Sequence, residues 1–132
     1  MTCKRVMILL LLTSFSVALS GCGERRKVVY SVPSLVKSLK DKDPNVRYWA
    51  AESLGHFGPE AHVAIPDLIN ALKDEDKTVR IGAAYALGEM GPPAVEALST
   101  LQEAARDPDK GVRDAALYAT KQIQHIRKGK TG

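Results

Sequence analysis

The stretch Ile65 to Pro93, IPDLINALKDEDKTVRIGAAYALGEMGPP, decides the fold, because the residues before and after it repeat its wording. Moved back by 33 residues, it sets Pro66 on Pro33, Leu68 on Leu35, Leu72 on Leu39, Lys73 on Lys40, Asp74 on Asp41 and Asp76 on Asp43. Val79 and Arg80 fall on Val46 and Arg47, Ala83 and Ala84 on Ala50 and Ala51, Leu87 and Gly88 on Leu54 and Gly55, and Gly91 and Pro92 on Gly58 and Pro59. With Ala94 on Ala61, the shift gives 15 identities over the 31 positions 33 to 63. A fixed period of this length marks a stacked array of helix pairs rather than one closed globule.

Two halves make up each unit. Val32, Leu35, Val36 and Leu39 recur at i, i+3, i+4 and i+7, as do Ile65, Leu68, Ile69 and Leu72, so each set is the apolar face of a helix. Pro33 and Pro66 stand at the starts of these A helices, where a missing N–H removes no helical bond. An acidic turn ends each one: Asp41-Lys42-Asp43, Asp74-Glu75-Asp76 and Asp107-Pro108-Asp109. The second aspartate is placed to accept from the first amides of a following B helix.

The spacing predicts B helices over 44–57, 77–90 and from 110 to about 127. Val79, Ala83, Leu87 and Met90 form the expected buried stripe of the second, and Val46, Ala50, Leu54 and Phe57 that of the first. Gly58 and Gly91, each followed by proline, are expected to end these helices in a left-handed conformation. In the third unit Leu101, Asp107, Asp109, Val112, Arg113 and Ala116 keep register, while Ser99 replaces Pro66 and Thr120 replaces Leu87. The last helix runs on into Gln122, Gln124, Arg127 and Lys128, as suits a terminal cap. The expected fold is all-α: a short right-handed α-solenoid of about three helix pairs over 32–128, in units of about 32–64, 65–96 and 97–128.

The first residues read differently. Lys4 and Arg5 precede an apolar run, Val6 to Leu12 and Phe15 to Leu19, which is followed by small residues. Basic, apolar and small segments in that order form an export signal, and the run is shorter than the roughly 20 residues of a membrane-crossing helix. An uncleaved anchor is the competing reading. Leu19-Ser20-Gly21-Cys22 resembles the lipobox of bacterial lipoproteins. That resemblance implies a signal peptide over 1–21, acylation of Cys22, and a short lipidated tether over 22–31. With more than one acyl chain such an anchor is stable, whereas a single chain binds marginally. Gly23, in place of an aspartate, implies the outer membrane where there are two. Ordinary signal cleavage with Cys22 left as a thiol is the alternative.

The chain has two cysteines, Cys3 and Cys22, so the mature domain has no thiol left for a disulfide or a metal once the first leaves and the second is acylated. The formal net charge of +4 is also uneven. Residues 31 to 120 carry ten basic and fourteen acidic side chains, and the positive excess lies at the two ends. A body of net negative sign does not suit phosphate backbones, so no nucleic acid partner is expected.

The pattern PxLIxxLKDxDxxVRxxAAxALGxMGP resembles the HEAT repeat, in its short form known as the phycobilisome-lyase-type HEAT-like repeat. The resemblance implies A helices on the convex side, B helices on the concave side, and recurrent Asp and Arg residues bonding within and between units. Asp41, Arg47, Asp74, Arg80, Asp107 and Arg113 would form that structural ladder. Each arginine lies in the first turn of a B helix, so a charge-assisted bond to the aspartate of its own turn is the expected pairing.

No catalytic constellation stands out. His56, His62 and His125 are far apart, and the pattern Asp107-x-Asp109-x-Gly111 lacks the glutamate that closes a calcium loop, Tyr118 standing there instead. The expectation is therefore that the chain is not an enzyme and has no cofactor. The residues beside the buried stripes are more informative: Tyr48, Trp49 and Glu52 in unit one, Ile81, Tyr85 and Glu89 in unit two, Asp114 and Tyr118 in unit three. Aromatic residues are only 5% of the chain, so their concentration on B helices points to a concave face that binds a partner. Packing between alanine-rich helices is the alternative for Trp49 and the tyrosines. The functional expectation is a membrane-anchored scaffold for a protein partner in the cell envelope. A lyase-type accessory factor and a purely structural envelope component are the other readings.

Overall fold

The computed structural model describes residues 30–129 of the 132-residue chain. Six α-helices follow one another as three pairs: α1 (Val32–Ser38) with α2 (Pro44–His56), α3 (Ile65–Ala71) with α4 (Lys77–Met90), and α5 (Leu98–Ala104) with α6 (Lys110–Gly129). No strand occurs among the described residues. The expected export signal, the expected acylation site at Cys22 and most of the expected tether lie outside them.

Local sequence sets each boundary. Asp43 accepts from the amide of Asn45 at 2.9 Å and Asp76 from that of Thr78 at 2.8 Å, while Asp109 accepts from Val112 at 3.2 Å. These bonds satisfy amides that a helix start otherwise leaves without partners. The first aspartate of each turn holds the turn itself, accepting from the amide of the second at 2.8 to 2.9 Å. Gly58 and Gly91 take positive φ, 56° and 66°. Gly91 departs from the left-handed helical geometry expected of it, since its ψ is −135°. A 3₁₀ segment that begins at Gly58 (Gly58–Ala64) or just after Gly91 (Pro92–Ala97) leads into the next A helix. Each tucks two alanines into the core, Ala61 with Ala64 and Ala94 with Ala97.

The B helices pack in one continuous layer, α2 on α4 on α6, and the seven-residue A helices cover one side of it. Leu54, Leu68, Val79, Leu87, Leu101 and Val112 are fully buried between the two layers. Close approach within the B layer depends on glycine. A Cβ on Gly55 would stand 2.9 Å from the Ala86 Cα, and one on Gly88 would stand 3.0 Å from the Ala119 Cα. Helices that meet backbone to backbone in this way leave no room for a side chain at the contact.

The stripe of α4 is buried as expected, but that of α2 is only partly so. Ala50 and Leu54 are buried, whereas Val46 and Phe57 are each 37% exposed. Their counterparts Val79 and Met90 are covered by the preceding B helix, and among the described residues α2 has none before it. The third unit shows the opposite end. Where Gly55 and Gly88 admit a neighbour, α6 presents the exposed Lys121, and no helix packs beyond it among the described residues.

Arginine ties the units together, though not to the carboxylates expected. Arg47 donates through Nε and Nη2 to both oxygens of Asp74 in the next unit, each at 2.8 Å, and Arg80 does the same to Asp107 at 2.9 and 3.2 Å. The arginine's own turn supplies carbonyl oxygens instead. Nη1 of Arg47 donates to the carbonyls of Asp41 and Lys42, that of Arg80 to Asp74 and Glu75, and that of Arg113 to Asp107 and Pro108. A planar fork with five donors meets both demands at once, one edge facing back and one facing forward. The expected bonds to Asp41, Asp74 and Asp107 within the same turn are thus replaced by two bidentate clamps between successive units.

Burial acts to raise the Asp107 carboxyl, but the Asp109 amide and the Arg80 guanidinium outweigh it and hold the group below the usual carboxylate range. Asp76 is lowered by the Thr78 hydroxyl and amide, and Asp109 by the Val112 amide, with Lys77 adding to it. A carboxyl lowered in the folded state contributes stability above its unfolded value of about 3.9 and loses it as the pH falls through the lowered folded value. Melting temperature should therefore be flat from pH 7 to about 5 and fall steeply below about 4. Asp107→Asn should flatten that fall while lowering the plateau. An acid limb equally steep in the variant would remove Asp107 from this account.

Candidate functional site

The helix period of α2, α4 and α6 brings three registers to the side of the B layer that the A helices leave open. Tyr48, Ile81 and Asp114 make one row, Glu52, Tyr85 and Tyr118 the next, and His56, Glu89 and Gln122 the third. Between α2 and α4 the rows enclose a cleft of about 470 Å³ lined by Tyr48, Glu52, Gly55, His56, Ile81, Gly82, Tyr85, Ala86 and Glu89. Small residues make its floor, and the reason is geometric. A Cβ on Gly82 would stand 3.0 Å from the Tyr48 ring, so the tyrosine lies over the next helix only because position 82 is bare. Gly111 makes room for Ile81 in the same way.

The polar groups of this face are unequally satisfied. Tyr118 donates its hydroxyl to Glu89 Oε1 at 3.2 Å, and its ring lies 5.4 Å from that of Tyr85, tilted by 53°. The Glu89 carboxylate that accepts this proton pushes the Tyr118 hydroxyl above its ordinary value. Glu52 differs: its Oε2 is buried and has no hydrogen-bond partner among the described residues. A buried carboxylate oxygen without a donor is costly, on the order of 1–3 kcal/mol.

Trp49 does not join this face. It stands on the side of α2 that would meet an earlier helix, 62% exposed, and lines a separate cavity of about 400 Å³ with Tyr30, Leu35, Ser38, Val46, Ala50 and Ser53. Its ring meets that of Tyr48 edge-on, at 5.5 Å and 67°, so the one helix carries an aromatic pair that divides between the cleft and the end of the stack. The 33-residue shift contains this information: Trp49 falls on Gly82 and Ala115, both buried, and not on the registers of Tyr85 or Glu89. It also places His56 in register with Glu89 and Gln122, so a histidine far from the other two in the chain is a lining residue of the cleft.

Among the described residues no group of three or more His, Cys, Asp or Glu side chains is placed to hold a metal ion, and no helix is long and apolar enough to cross a membrane. Comparison with known proteins follows the repeat. The family of HEAT repeats matches residues 16–65 and 65–128, most of the chain. The chain belongs to the HEAT-repeat family.

Solved structures are similar to it in fold. The complex of CpcE and CpcF of phycocyanin lyase from Nostoc sp. PCC7120 is similar over 77% of this chain, at 28% identity and a TM-score of 0.68. Human deoxyhypusine hydroxylase is similar over 71% of it, at 32% identity and a TM-score of 0.62. An engineered protein is similar over 71%, at 28% identity and a TM-score of 0.61. The HEAT chain covers 40%, 32% and 45% of these three, less than half of each. None of the curated proteins compared with it matches.

Two of these similar structures are of enzymes, a lyase and a hydroxylase. That corrects the expectation that this chain is not an enzyme. The expectation rested on familiar local motifs, which do not record side chains that stacking brings together from positions one repeat apart. Glu52 and Tyr85 in the cleft are such a pair, 33 residues apart in the chain and equivalent in register.

Proposed function

We propose that this HEAT array binds a protein partner in the cleft between α2 and α4, and that an acylated Cys22 holds it at a bacterial envelope membrane, the outer one where there are two. Glu52 carries the binding reading. Its donorless oxygen belongs to a side chain that lines the cleft together with Tyr48 and Tyr85, so a lysine or arginine of a partner entering the cleft meets a carboxylate short of donors beside two aromatic rings. The pairing of CpcE with CpcF in the phycocyanin lyase complex favours a protein as the occupant. The address is supported by the order of Lys4 and Arg5, the apolar run, and Leu19-Ser20-Gly21-Cys22.

Two variants test the two halves separately. Glu52→Gln in the full-length chain should weaken partner capture about tenfold while the melting temperature changes little, because the side chain keeps its shape and loses only the charge a cationic partner would meet. A photo-crosslinker placed at position 85, used in the native envelope and read by mass spectrometry, names the partner. Capture unchanged by Glu52→Gln would end the cleft reading. Cys22→Ser should abolish incorporation of a labelled fatty acid and release the protein from membranes; a wild-type chain that takes up no label would end the address alone.

The likeness to the phycocyanin lyase complex favours a second reading, a lyase-type factor acting on a cofactor-bearing protein. A chromophore that copurifies with the chain, and is lost on Tyr85→Ala, would select it.

A further inference from the structure

Every ion pair between units among the described residues runs in one direction. The base belongs to the earlier unit and the acid to the later: Lys40 to Asp67, Arg47 to Asp74 and Glu75, Lys73 to Glu103, Lys77 to Asp109, and Arg80 to Asp107. The two ends of the array therefore carry complementary halves of one contact. At the far end, Arg113 is held by Nη1 to the carbonyls of Asp107 and Pro108, as Arg47 and Arg80 are held by their own turns, while its Nε and Nη2 edge has no partner among the described residues. At the near end, the exposed Asp41 accepts the Asp43 amide in the pose of Asp74 and Asp107, and meets no arginine among the described residues.

We infer that copies of this chain associate head to tail, the Arg113 fork of one engaging the Asp41 carboxylate of the next. Lys110 stands where Lys77 does; its ammonium pairs with Asp114 of its own helix at 2.7 Å, and by exchanging that exposed partner it reaches Asp43 of the following copy as Lys77 reaches Asp109 at 3.5 Å. Leu117, 58% exposed on the same side of α6, meets the side of α2 on which Val46 and Trp49 stand open. The contact is looser than those inside the chain. Lys121 and Trp49 occupy the places of Gly88 and Gly82, which prevents the B helices from closing to backbone contact, and Lys42 replaces Glu75. Such an interface is heterologous and does not close on itself, so it builds rows rather than dimers. Confinement to a membrane surface by the proposed anchor raises the local concentration that a weak contact needs.

Zero-length carbodiimide coupling reads this directly, since it joins an amine to a carboxylate only in contact. The full-length chain in phosphatidylcholine vesicles should give a ladder of covalent dimers and higher species, with Lys110 joined to Asp43 between chains. Arg113→Glu and Asp41→Arg should each reduce that product more than tenfold, and the two variants mixed should restore it. Asp41→Asn, which keeps an oxygen for the Asp43 amide, separates charge from folding and should still reduce it several-fold. Monomer alone, or a ladder of equal yield in Arg113→Glu and Asp41→Arg, would overturn the inference whether or not Cys22 is acylated.

Discussion

Arg47→Ala should lower the melting temperature by roughly 10–20 °C, the loss expected for about 3 kcal/mol in a domain of this size. Arg47 is 8% exposed, and its fork fills both oxygens of Asp74, whose side chain is 13% exposed. Removing the arginine leaves that carboxylate mostly out of water with only the Asp76 amide to meet it. It also releases the carbonyls of Asp41 and Lys42, so two units lose their staple and one turn loses its brace. Arg113→Ala is the internal control. Arg113 braces its own turn but grips no carboxylate among the described residues, and its loss should cost only about 1 kcal/mol in the isolated chain. Equal losses for the two variants would show that the brace, and not the bond between units, carries the stability.

Gly55→Val should cost about 3 kcal/mol, measured as a lower urea midpoint at unchanged slope. Helix propensity argues the other way, since glycine inside a helix is worse than most residues by up to about 1 kcal/mol. Packing decides the sign. The added Cβ would lie 2.9 Å from the Ala86 Cα, a backbone atom that cannot rotate aside, so α2 and α4 must separate along their length. At Gly82 the obstacle is the edge of the Tyr48 ring at 3.0 Å, which can turn toward the cleft. Gly82→Ala should accordingly be milder and should disturb the cleft more than the core. A Gly55→Val chain as stable as the parent would mean that the B helices are not in contact there.

These residues also show what a sequence can and cannot convey. The helix starts were legible because aspartate, proline and apolar spacing act within a few residues of where they stand. The arginine partners were not. Arg47 is six residues from Asp41 and 27 from Asp74, and a repeat that carries both residues in every unit fits either pairing equally well. Only the offset between stacked turns selects the distant one. Val46 and Val79 make the same point for burial: one residue type in one register is exposed in the first unit and fully buried in the second, because the preceding helix differs. Repeat symmetry predicts the middle of an array and misleads at its ends. Of the candidate face, the rows of Tyr48, Tyr85 and Tyr118 followed from the period, whereas the cleft needed to know that Gly82 lies under a ring.

The one-way order of the ion pairs gives the stack a direction. With each unit lending its base forward, a carboxylate without an arginine is left at Asp41 on one end of the described array and a guanidinium edge without a carboxylate at Arg113 on the other. A unit inserted into the array or removed from it would leave the same two unlike faces at the ends, as a polymer strand keeps its polarity whatever its length.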